Sequence, residues 1–373
     1  IKTLCCSNRK SSRSKRSKME NNHPNHDILI LYGSQTGTAK EAAEEIAREL
    51  VYRHLKPQCL AMDEYEIFSL PNEKRVIFVV ATTGQGEPPD NMKNSWKFLL
   101  RRDLPANSLG DVTFTVFGLG DSVYEKFNAM ARKLHQRLRQ LGATEFHQRG
   151  LGDEQHDFGY ESEFDPWMTS LWESLTPIFP EAMSKSPLDS ETLLPPRYKV
   201  NILDETPSES ATSHLLELPK PVAAKSDAFL AKMIHNRRTT AEDHFRHVRK
   251  VTFDITDSGL NYQPGDVVML QPFNDHQVVT DFIKMMGWDR NCQLEITLNP
   301  EFPGNTMASN PFPKSIGIIE LFESWLDLHG TPNRQFFRVL RHFASDEQQK
   351  EKLNEFVKKT TEGRSELHRY AIR

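Results

Sequence analysis

The sequence predicts an α/β protein whose first half forms a doubly wound, five-stranded parallel sheet, and two observations support this prediction. Between residues 27 and 178, short apolar runs of strand length alternate with segments whose apolar residues recur at helical spacing. Polar, glycine-containing loops follow the apolar runs, and ligands of such sheets bind at the carboxyl ends of the strands. This alternation favours a parallel sheet covered by helices on both faces.

The elements are predicted in chain order from these patterns. Five strands are expected at Asp27–Tyr32, within Gln58–Phe68, and at Arg75–Thr82, Val112–Leu119 and Ala143–Leu151. Helices are expected at Thr38–His54, Asn94–Arg101, Phe127–Leu141 and Phe164–Ile178. Each helix follows a strand, and this alternation implies a parallel, doubly wound sheet.

The second half has a different pattern. Residues 179–226 are rich in Pro, Ser and Thr and are predicted to be a linker, whereas residues 227–275 look β-rich, with alternation in Val248–Thr256 and a strand–turn–strand element in Tyr262–Gln271. Later segments have helical spacing, at Val278–Met286, Ile316–His329, Asn333–Ala344 and Asp346–Lys359. The predicted domains are therefore 1–26, 27–178, 179–226 and 227–373.

Composition excludes several classes of protein. No apolar run approaches the roughly 20 residues that a membrane-spanning helix needs, and no apolar signal segment is recognised. The four cysteines, Cys5, Cys6, Cys59 and Cys292, form no C-x-x-C pair and no metal-like cluster with histidine, so no metal site is predicted. A reducing compartment fits this cysteine usage best, and we expect a cytoplasmic location.

Charge divides the chain unevenly. Residues 1–18 contain seven basic and no acidic residues, and the remaining residues contain 40 basic and 51 acidic residues, a net charge of −11. The basic leader, which we extend to residue 26, is interpreted as disordered or as a mis-called start, or alternatively as a nuclear-import or anionic-surface tag. An acidic folded part argues against nucleic acid and favours partners with basic surfaces.

The first motif with chemical meaning lies where the first strand meets the first helix. A helix N-terminus binds phosphate through free N–H groups and the helix dipole, and hydroxyl side chains add further donors. The loop lacks the lysine of a Walker A sequence, so it suits a single phosphate better than a triphosphate with magnesium. A loop that only caps the helix is the alternative. The motif consists of Ser34, Gln35, Thr36, Gly37, Thr38 and Ala39.

Two further loops follow the third and fourth strands. Ala81, Thr82, Thr83 and Gly84 begin a glycine-rich, proline-bounded loop whose backbone can bond the edge of a planar ring. The other loop offers an aromatic face at Tyr124 for stacking, although packing is the alternative for a lone aromatic residue. That loop consists of Leu119, Gly120, Asp121, Ser122, Val123, Tyr124, Glu125, Lys126, Phe127 and Asn128.

A phosphate cradle and two walls for a flat ring at one sheet edge are what flavin mononucleotide (FMN) needs. A fourth loop, Leu151–Gln155, carries acids that face the ligand or are simply solvated. No residue is predicted to be catalytic, because a flavin carries out its own electron chemistry and the protein only tunes it.

These loops resemble those of the flavodoxin-like FMN domain of diflavin reductases, the family that includes cytochrome P450 reductase. The residues that carry the resemblance are Ala81–Gly86, Pro88–Asn94, Leu151–His156 and Asp165–Trp167, and Phe336–Asp346 resembles the helical connecting region of the family. The chain is most similar to the NADPH-dependent diflavin oxidoreductase branch, which serves cytosolic iron–sulfur assembly. The resemblance extends from about residue 27 to the end.

The resemblance implies specific roles. Ser34–Ala39 would hold the FMN phosphate, Ala81–Gly84 and Leu119–Asn128 would enclose the ring, and Glu154 occupies the position of an acidic FMN contact. P450 reductases have an aromatic residue where this chain has Thr83, so one ring face would lack an aromatic cover. Electrons would pass from NADPH through FAD and FMN to an acceptor protein, the iron–sulfur protein anamorsin by resemblance.

The second half resembles the beginning of the ferredoxin-reductase-like FAD barrel of the family, followed by helical inserts. Neither the Arg-x-[Tyr/Phe]-Ser segment nor the glycine-rich pyrophosphate loop of the family is found in the sequence. The chain is therefore expected to be truncated, with an incomplete FAD barrel and no NADPH-dependent activity of its own. An FMN-only shuttle and a non-catalytic flavodoxin-like interaction module remain as alternatives.

Overall fold

The computed structural model describes residues 26–203, 231–266, 270, 272–302 and 310–371. The chain divides into two compact units. The parallel-sheet unit includes residues 20–198, 298–308 and 330–373, and the hairpin unit includes residues 199–297 and 309–329. Residues 1–25 of the predicted leader and 204–226 of the predicted linker lie outside the described residues.

The centre of the parallel-sheet unit is the predicted doubly wound parallel sheet. Its strands are β1 (Ile28–Gly33), β2 (Pro57–Ala61), β3 (Arg75–Ala81), β4 (Thr113–Gly120), β5 (Thr144–Glu145) and β6 (Gly150–Asp153). The order is β2-β1-β3-β4-β5, and β6 also pairs with β4, so β5 and β6 together fill the fifth position. All of these pairings are parallel, which confirms the predicted fold.

Helices cover both faces of the sheet. They are α1 (Thr38–Tyr52), α2 (Lys93–Leu99), α3 (Ala129–Gln140), α4 (Glu161–Leu175) and the short α5 (Pro180–Met183). Because side chains alternate along a strand, Phe78 of β3 packs with Leu134 of α3 on one face, and Ile77 packs with Ile46 of α1 on the other. Each face thus has its own fully buried apolar core, as the near-continuous apolar strands predict.

The fifth strand differs from its prediction as one continuous segment, Ala143–Leu151. Between β5 and β6, the Gln148 carbonyl oxygen accepts hydrogen bonds from Trp167 Nε1 at 2.8 Å and from Thr115 Oγ1 at 3.4 Å. The buried His147 ring meets Ser174 Oγ at 2.8 Å. These side-chain bonds replace the ladder bonds there, so the strand is split in two.

The hairpin unit is built from short antiparallel elements. The strands β8 (Lys232–Arg238) and β9 (Arg249–Asp254) pair with each other, and β7 (Tyr198–Leu203), β10 (Gln293–Leu298) and β11 (Ile316–Gly317) form a second sheet. Helix α6 (His276–Met285) matches its prediction. Gln263–Asp266 form a turn with Gly265 at φ 98°, but the described neighbours of this turn are not strands.

The predicted helix Ile316–His329 is helical only over residues 318–325. Residues 316–317 belong to β11, only Ile318–Glu320 (α7) are α-helical, and Leu321–Trp325 form one wider helical turn. The Asn274 side-chain amide donates to the carbonyl oxygens of Phe322 and Leu326, each at 2.6 Å. These bonds satisfy the last carbonyl groups and end the helix at residue 325.

Three C-terminal helices belong to the parallel-sheet unit. They are α8 (Arg334–Leu340), α9 (Glu347–Val357) and α10 (Thr361–Ala371). The predicted segments Asn333–Ala344 and Asp346–Lys359 begin at true caps, because the side chains of Asn333 and Asp346 accept hydrogen bonds from the N–H groups of Phe336 and Gln349. Of the helices in the described residues, none is both long and apolar enough to cross a membrane.

Candidate flavin site

The loop Ser34–Ala39 joins the carboxyl end of β1 to the first turn of α1. Ser34 Oγ accepts a hydrogen bond from the Gly37 N–H at 3.1 Å, and Gly37 has φ 113°, so the loop closes tightly at the helix N-terminus. Helix geometry leaves the first N–H groups of α1 without intrahelical partners. A Cβ atom added to Gly37 would meet no atom within 4 Å, so open space lies beside this residue at the start of the helix. This cradle fits a phosphate.

The loop after β3 holds the cradle in place. Asn91 Oδ1 accepts a hydrogen bond from the Ser34 N–H at 2.8 Å. The Gln35 side chain donates to Asp90 Oδ2 and accepts from the Asp90 N–H, each at 3.0 Å. The phosphate cradle and the first wall of the ring site are therefore one connected structure.

That first wall is a closed turn. The Thr82 N–H donates to the Leu119 carbonyl oxygen at 3.0 Å, which ties the start of the loop to β4. Thr83 and Glu87 exchange backbone hydrogen bonds of 2.8 and 3.0 Å, and Gly84, with φ 46°, sits at the exposed apex. Backbone groups at the apex can approach the edge of a ring because Gly84 has no side chain.

The second wall leads from β4 into α3. Asn128 precedes α3 in a left-handed conformation, with φ 52°, and its buried Nδ2 donates to the Gly152 carbonyl oxygen at 2.9 Å. Tyr124 lies in the same loop with 64% of its surface exposed. An aromatic ring presented in this way can stack on a flat ligand.

The fourth loop, which follows β6, is hydrogen bonded to the loop after β4. The Glu154 N–H donates to the Gly120 carbonyl oxygen at 2.9 Å, and Asp153 Oδ1 accepts from the Ser122 N–H at 2.9 Å. Desolvation raises the pKa of Asp153, but hydrogen bonds from Ser122 and Gln155 outweigh it and lower that pKa below its usual value. Asp153 is therefore an anion that orders the second wall.

Strand register brings the loops to one edge. Gly33 pairs with Val80, Ala81 with Leu119, and Gly120 with Asp153, so β1, β3, β4 and β6 end at similar heights. The exposed members of the predicted set are Gln35, Thr36, Gly84, Ser122, Val123, Tyr124, Glu125, Lys126 and Glu154. The partly buried members are Ser34, Gly37, Thr38, Ala81, Thr82, Thr83, Gly120, Asp121 and Phe127, and the buried members are Ala39, Leu119 and Asn128.

Two residues that shape the site were not among the predicted site residues. Asn91 anchors the phosphate cradle, and Lys133 donates to the Gly86 carbonyl oxygen at 2.7 Å. Asn91 stands inside the second motif, so its position could have suggested a role. Lys133 lies on the surface of α3 and has no local signal in the sequence.

Two family models match successive parts of the chain. A family model described as flavodoxin matches residues 30–167, and one described as FAD binding domain matches residues 221–373. These matches indicate FMN for the first half and FAD for the second. A solved flavodoxin from Pseudomonas aeruginosa is 29% identical and covers 40% of this chain and 98% of that chain, with a TM-score of 0.34.

Curated relatives match nearly the whole chain. NADPH-dependent diflavin oxidoreductase 1 of Xenopus laevis is 40% identical over 360 residues, which are 94% of this chain and 58% of the relative. The proteins of the same name from Danio rerio and Arabidopsis thaliana are 42% and 38% identical and cover 93% and 92% of this chain. This chain spans 58% and 57% of the lengths of those two relatives. With a flavodoxin module followed by an FAD-binding module, the chain belongs to the diflavin oxidoreductase family.

Proposed function

We propose that the parallel-sheet unit binds FMN at the four loops described above and that the chain transfers electrons as part of a diflavin oxidoreductase. The observation that carries this proposal is the joining of a helix-terminal anion cradle, Ser34–Ala39, to two walls at one sheet edge. A flavin accepts and releases electrons singly or in pairs, which is the chemistry that the bound group would supply.

The phosphate would lie at the N-terminus of α1. The hydroxyl groups of Thr36 and Thr38 and the N–H groups of the first turn would donate to it. Since the cradle has no lysine, the helix dipole and neutral donors would balance the charge of the phosphate. Asn91 would keep the cradle at a constant position relative to the ring site.

The ring would lie between the second and third loops. The apex at Thr83 and Gly84 would meet one side or edge of the ring, and the exposed Tyr124 would stack on it. Thr83 donates its hydroxyl to the Glu87 carbonyl oxygen at 3.0 Å, so this threonine serves the turn and does not cover the ring.

The names of the relatives extend the proposal to the electron donor. By that similarity, NADPH would supply electrons to FAD, FAD would pass them to FMN, and FMN would pass them to an acceptor protein. The match of residues 221–373 to an FAD-binding domain supports a role of the second half in this chain of transfers.

The acceptor would bring a basic surface to the acidic edge of the sheet. Glu87, Asp90, Glu125 and Glu154 are exposed beside the proposed site, and opposite charges speed the encounter of two proteins. We propose an iron–sulfur protein of the anamorsin type, in the cytoplasm, as the acceptor. This choice follows the resemblance and the reducing compartment indicated by the cysteines.

The test begins with a visible spectrum of the purified chain and chromatography of the released flavin. We expect FMN near one per chain. Thr36→Asp would place a negative charge in the phosphate cradle, and we expect at least about tenfold weaker FMN binding by titration of the flavin-free protein. Thr192→Asp, which adds the same charge at an exposed position outside the loops, is the control.

Two results would count against the proposal. Absence of flavin in the purified chain, together with no binding of added FMN, would favour a non-catalytic interaction module. Equal FMN affinity in Thr36→Asp and Thr192→Asp would show that Ser34–Ala39 does not hold the phosphate.

A further inference from the structure

Helix α3 holds the loop of residues 82–87 at two points. At the start of the loop, Thr82 Oγ1 accepts a hydrogen bond from the Met130 N–H at 3.2 Å. Near its end, the Lys133 ammonium group donates to the Gly86 carbonyl oxygen at 2.7 Å. Residues three apart lie on one face of a helix, so Met130 and Lys133 form a two-point clamp on the loop.

The backbone at Gly86 lies directly against the first residue of the same helix and the loop before it. Gly86 has φ 87°, and a Cβ atom added to it would lie 3.2 Å from the Cβ atoms of Lys126 and Ala129. Gly86 is therefore packed against these side chains, and its carbonyl oxygen accepts the hydrogen bond from Lys133. The N–H of the same peptide, that of Glu87, donates to the Thr83 carbonyl oxygen at 2.8 Å, so Lys133 supplies a second fixed point to this peptide.

The apex between the two attachment points is open. Thr83 closes the turn through bonds of its N–H and hydroxyl groups to the Glu87 carbonyl oxygen, each at 3.0 Å. Within the described chain, no hydrogen bond is found for the N–H groups of Gly84 and Gln85, and both residues are exposed. These two peptides are the part of the loop available to a ligand.

We propose that Lys133 is a positioning residue that sets the electron affinity of the flavin. It does so by holding the Gly86 carbonyl group, which determines how Gly84 and Gln85 are presented to the ring. Its charge also favours the reduced flavin over the oxidised one. This inference rests on the FMN binding proposed above and adds a residue outside the four loops.

A second charge near the loop, of opposite sign, is expected to shift the flavin potential in the opposite direction. Glu87 Oε2 would lie 3.3 Å from a Cβ atom added to Gly84, so a carboxylate stands beside the apex while Lys133 stands at its end. A flavin becomes more electron-rich on reduction, so a nearby cation stabilises the reduced form and a nearby anion destabilises it. Lys133→Met should therefore lower the potential of the flavin, and Glu87→Gln should raise it.

The measurement is a redox titration of the FMN-loaded chain. We expect Lys133→Met to weaken binding of reduced relative to oxidised FMN by about three- to tenfold, and tenfold corresponds to about 59 mV for one electron. Lys133→Arg, which keeps a cationic donor, should restore most of the potential. Arg132→Met is the matched control, because Arg132 is exposed on the same helix and its side chain has no hydrogen bond to this loop in the described structure.

Hydrogen exchange of the flavin-free chain gives a readout that needs no cofactor. The amides of Thr83, Gly86 and Glu87 should exchange faster in Lys133→Met and at the wild-type rate in Arg132→Met. A potential or an exchange rate in Lys133→Met that matches the Arg132→Met value would overturn the proposal. Failure of the wild-type chain to bind FMN would instead refute the proposed function, and the exchange data would still test the clamp.

Discussion

Acidic side chains mark two regions of the parallel-sheet unit, and the two regions use them in opposite ways. Loops 34–39, 81–91, 119–128 and 151–155 of the proposed flavin site are called the flavin loops, and Glu87, Asp90, Glu125 and Glu154 are exposed there. Beneath the C-terminal helices, acids of α1 and α4 are covered and paired with cations of residues 334–364. We call this second group the docking cluster, and it consists of Glu45, Glu49, Glu161, Asp165, Arg334, Arg338, Lys359 and Arg364.

The docking cluster is a connected network. Arg334 contacts Asp165 and Glu161, each at 3.0 Å, and both Arg334 and Asp165 are at least 93% buried. Arg338 meets Glu49 at 2.8 Å, and Lys359 meets Glu45 at 2.8 Å. Buried ion pairs add little net stability compared with apolar contacts, but removal of one partner leaves an unpaired buried charge. Displacement of α8–α10 would therefore leave several covered charges unpaired.

The acids at the flavin loops contribute less to the stability of the fold. Asp90 meets Lys93 at 2.5 Å and Glu125 meets Lys126 at 3.2 Å, and these side chains are more than half exposed. Surface pairs of this kind contribute about 0–1 kcal/mol. The difference teaches that burial decides whether a carboxylate here holds the fold together or presents charge to another molecule.

The largest expected change in stability comes from a substitution that breaks the docking cluster. Arg334→Met removes the cation between Asp165 and Glu161 and should lower the free energy of unfolding by about 3–5 kcal/mol. Urea denaturation followed by circular dichroism measures this loss in the free energy of unfolding. Arg102→Met, at an exposed position, should change stability by less than about 0.5 kcal/mol. Equal stability of the two variants would show that the cluster does not hold the helices.

Low pH should also weaken the docking cluster and lower the stability of the chain. Burial raises the pKa of Glu45, but Lys359 and Arg334 outweigh it and lower that pKa from 4.5 to about 2. The unfolded chain then binds the proton more tightly, so the stability that ionised Glu45 provides is complete above pH 4.5 and is lost as the pH falls towards 2. The loss is on the order of 3 kcal/mol. Glu161 acts in the opposite direction, because burial raises its pKa.

Urea denaturation at several pH values between 5.5 and 2.5 tests this expectation. The wild-type chain should lose stability over this range more steeply than Glu45→Gln, which has no carboxyl group to titrate at that position. Parallel curves for the two proteins would mean that Glu45 is not paired with Lys359 in solution.

The position of the flavin loops at one sheet edge could be predicted from the sequence because their signals are local. A strand, a glycine-containing turn and a helix start follow one another within about ten residues, as around Ser34–Ala39, and register then aligns the strand ends. The docking cluster could not be predicted in the same way. Arg334 and Asp165 are 169 residues apart, and each looks like an ordinary surface charge on an amphipathic helix.

Other misses have the same physical origin. The split of the fifth strand depends on the Trp167 side chain reaching the Gln148 carbonyl oxygen, and the early end of the helix before Leu326 depends on Asn274. In each case a distant side chain takes a backbone group that local periodicity assigns to a strand or a helix. Lys133 also reaches a backbone group distant in the sequence, the Gly86 carbonyl oxygen in a loop of the proposed site.

The smallest expected effect on stability comes from substitution of an exposed acid. This prediction separates most sharply the exposed acids from the paired acids of the docking cluster. Glu154→Gln should change the free energy of unfolding by less than about 0.5 kcal/mol, because the side chain is exposed. The same change should slow electron transfer from the dithionite-reduced, FMN-loaded chain to cytochrome c, a basic probe protein, by about two- to threefold at low ionic strength. The difference should vanish at high salt, because screening removes the attraction.

Glu173→Gln is the matched control, since Glu173 is exposed near the C-terminal end of α4, away from the flavin loops in the sequence. Stopped-flow rates for this variant should equal those of the wild-type chain at every salt concentration. If both variants slow the reaction equally, the net charge of the unit governs the encounter and the loop acids have no special position. If only Glu154→Gln slows it, the exposed acids guide the partner to the edge where the flavin lies.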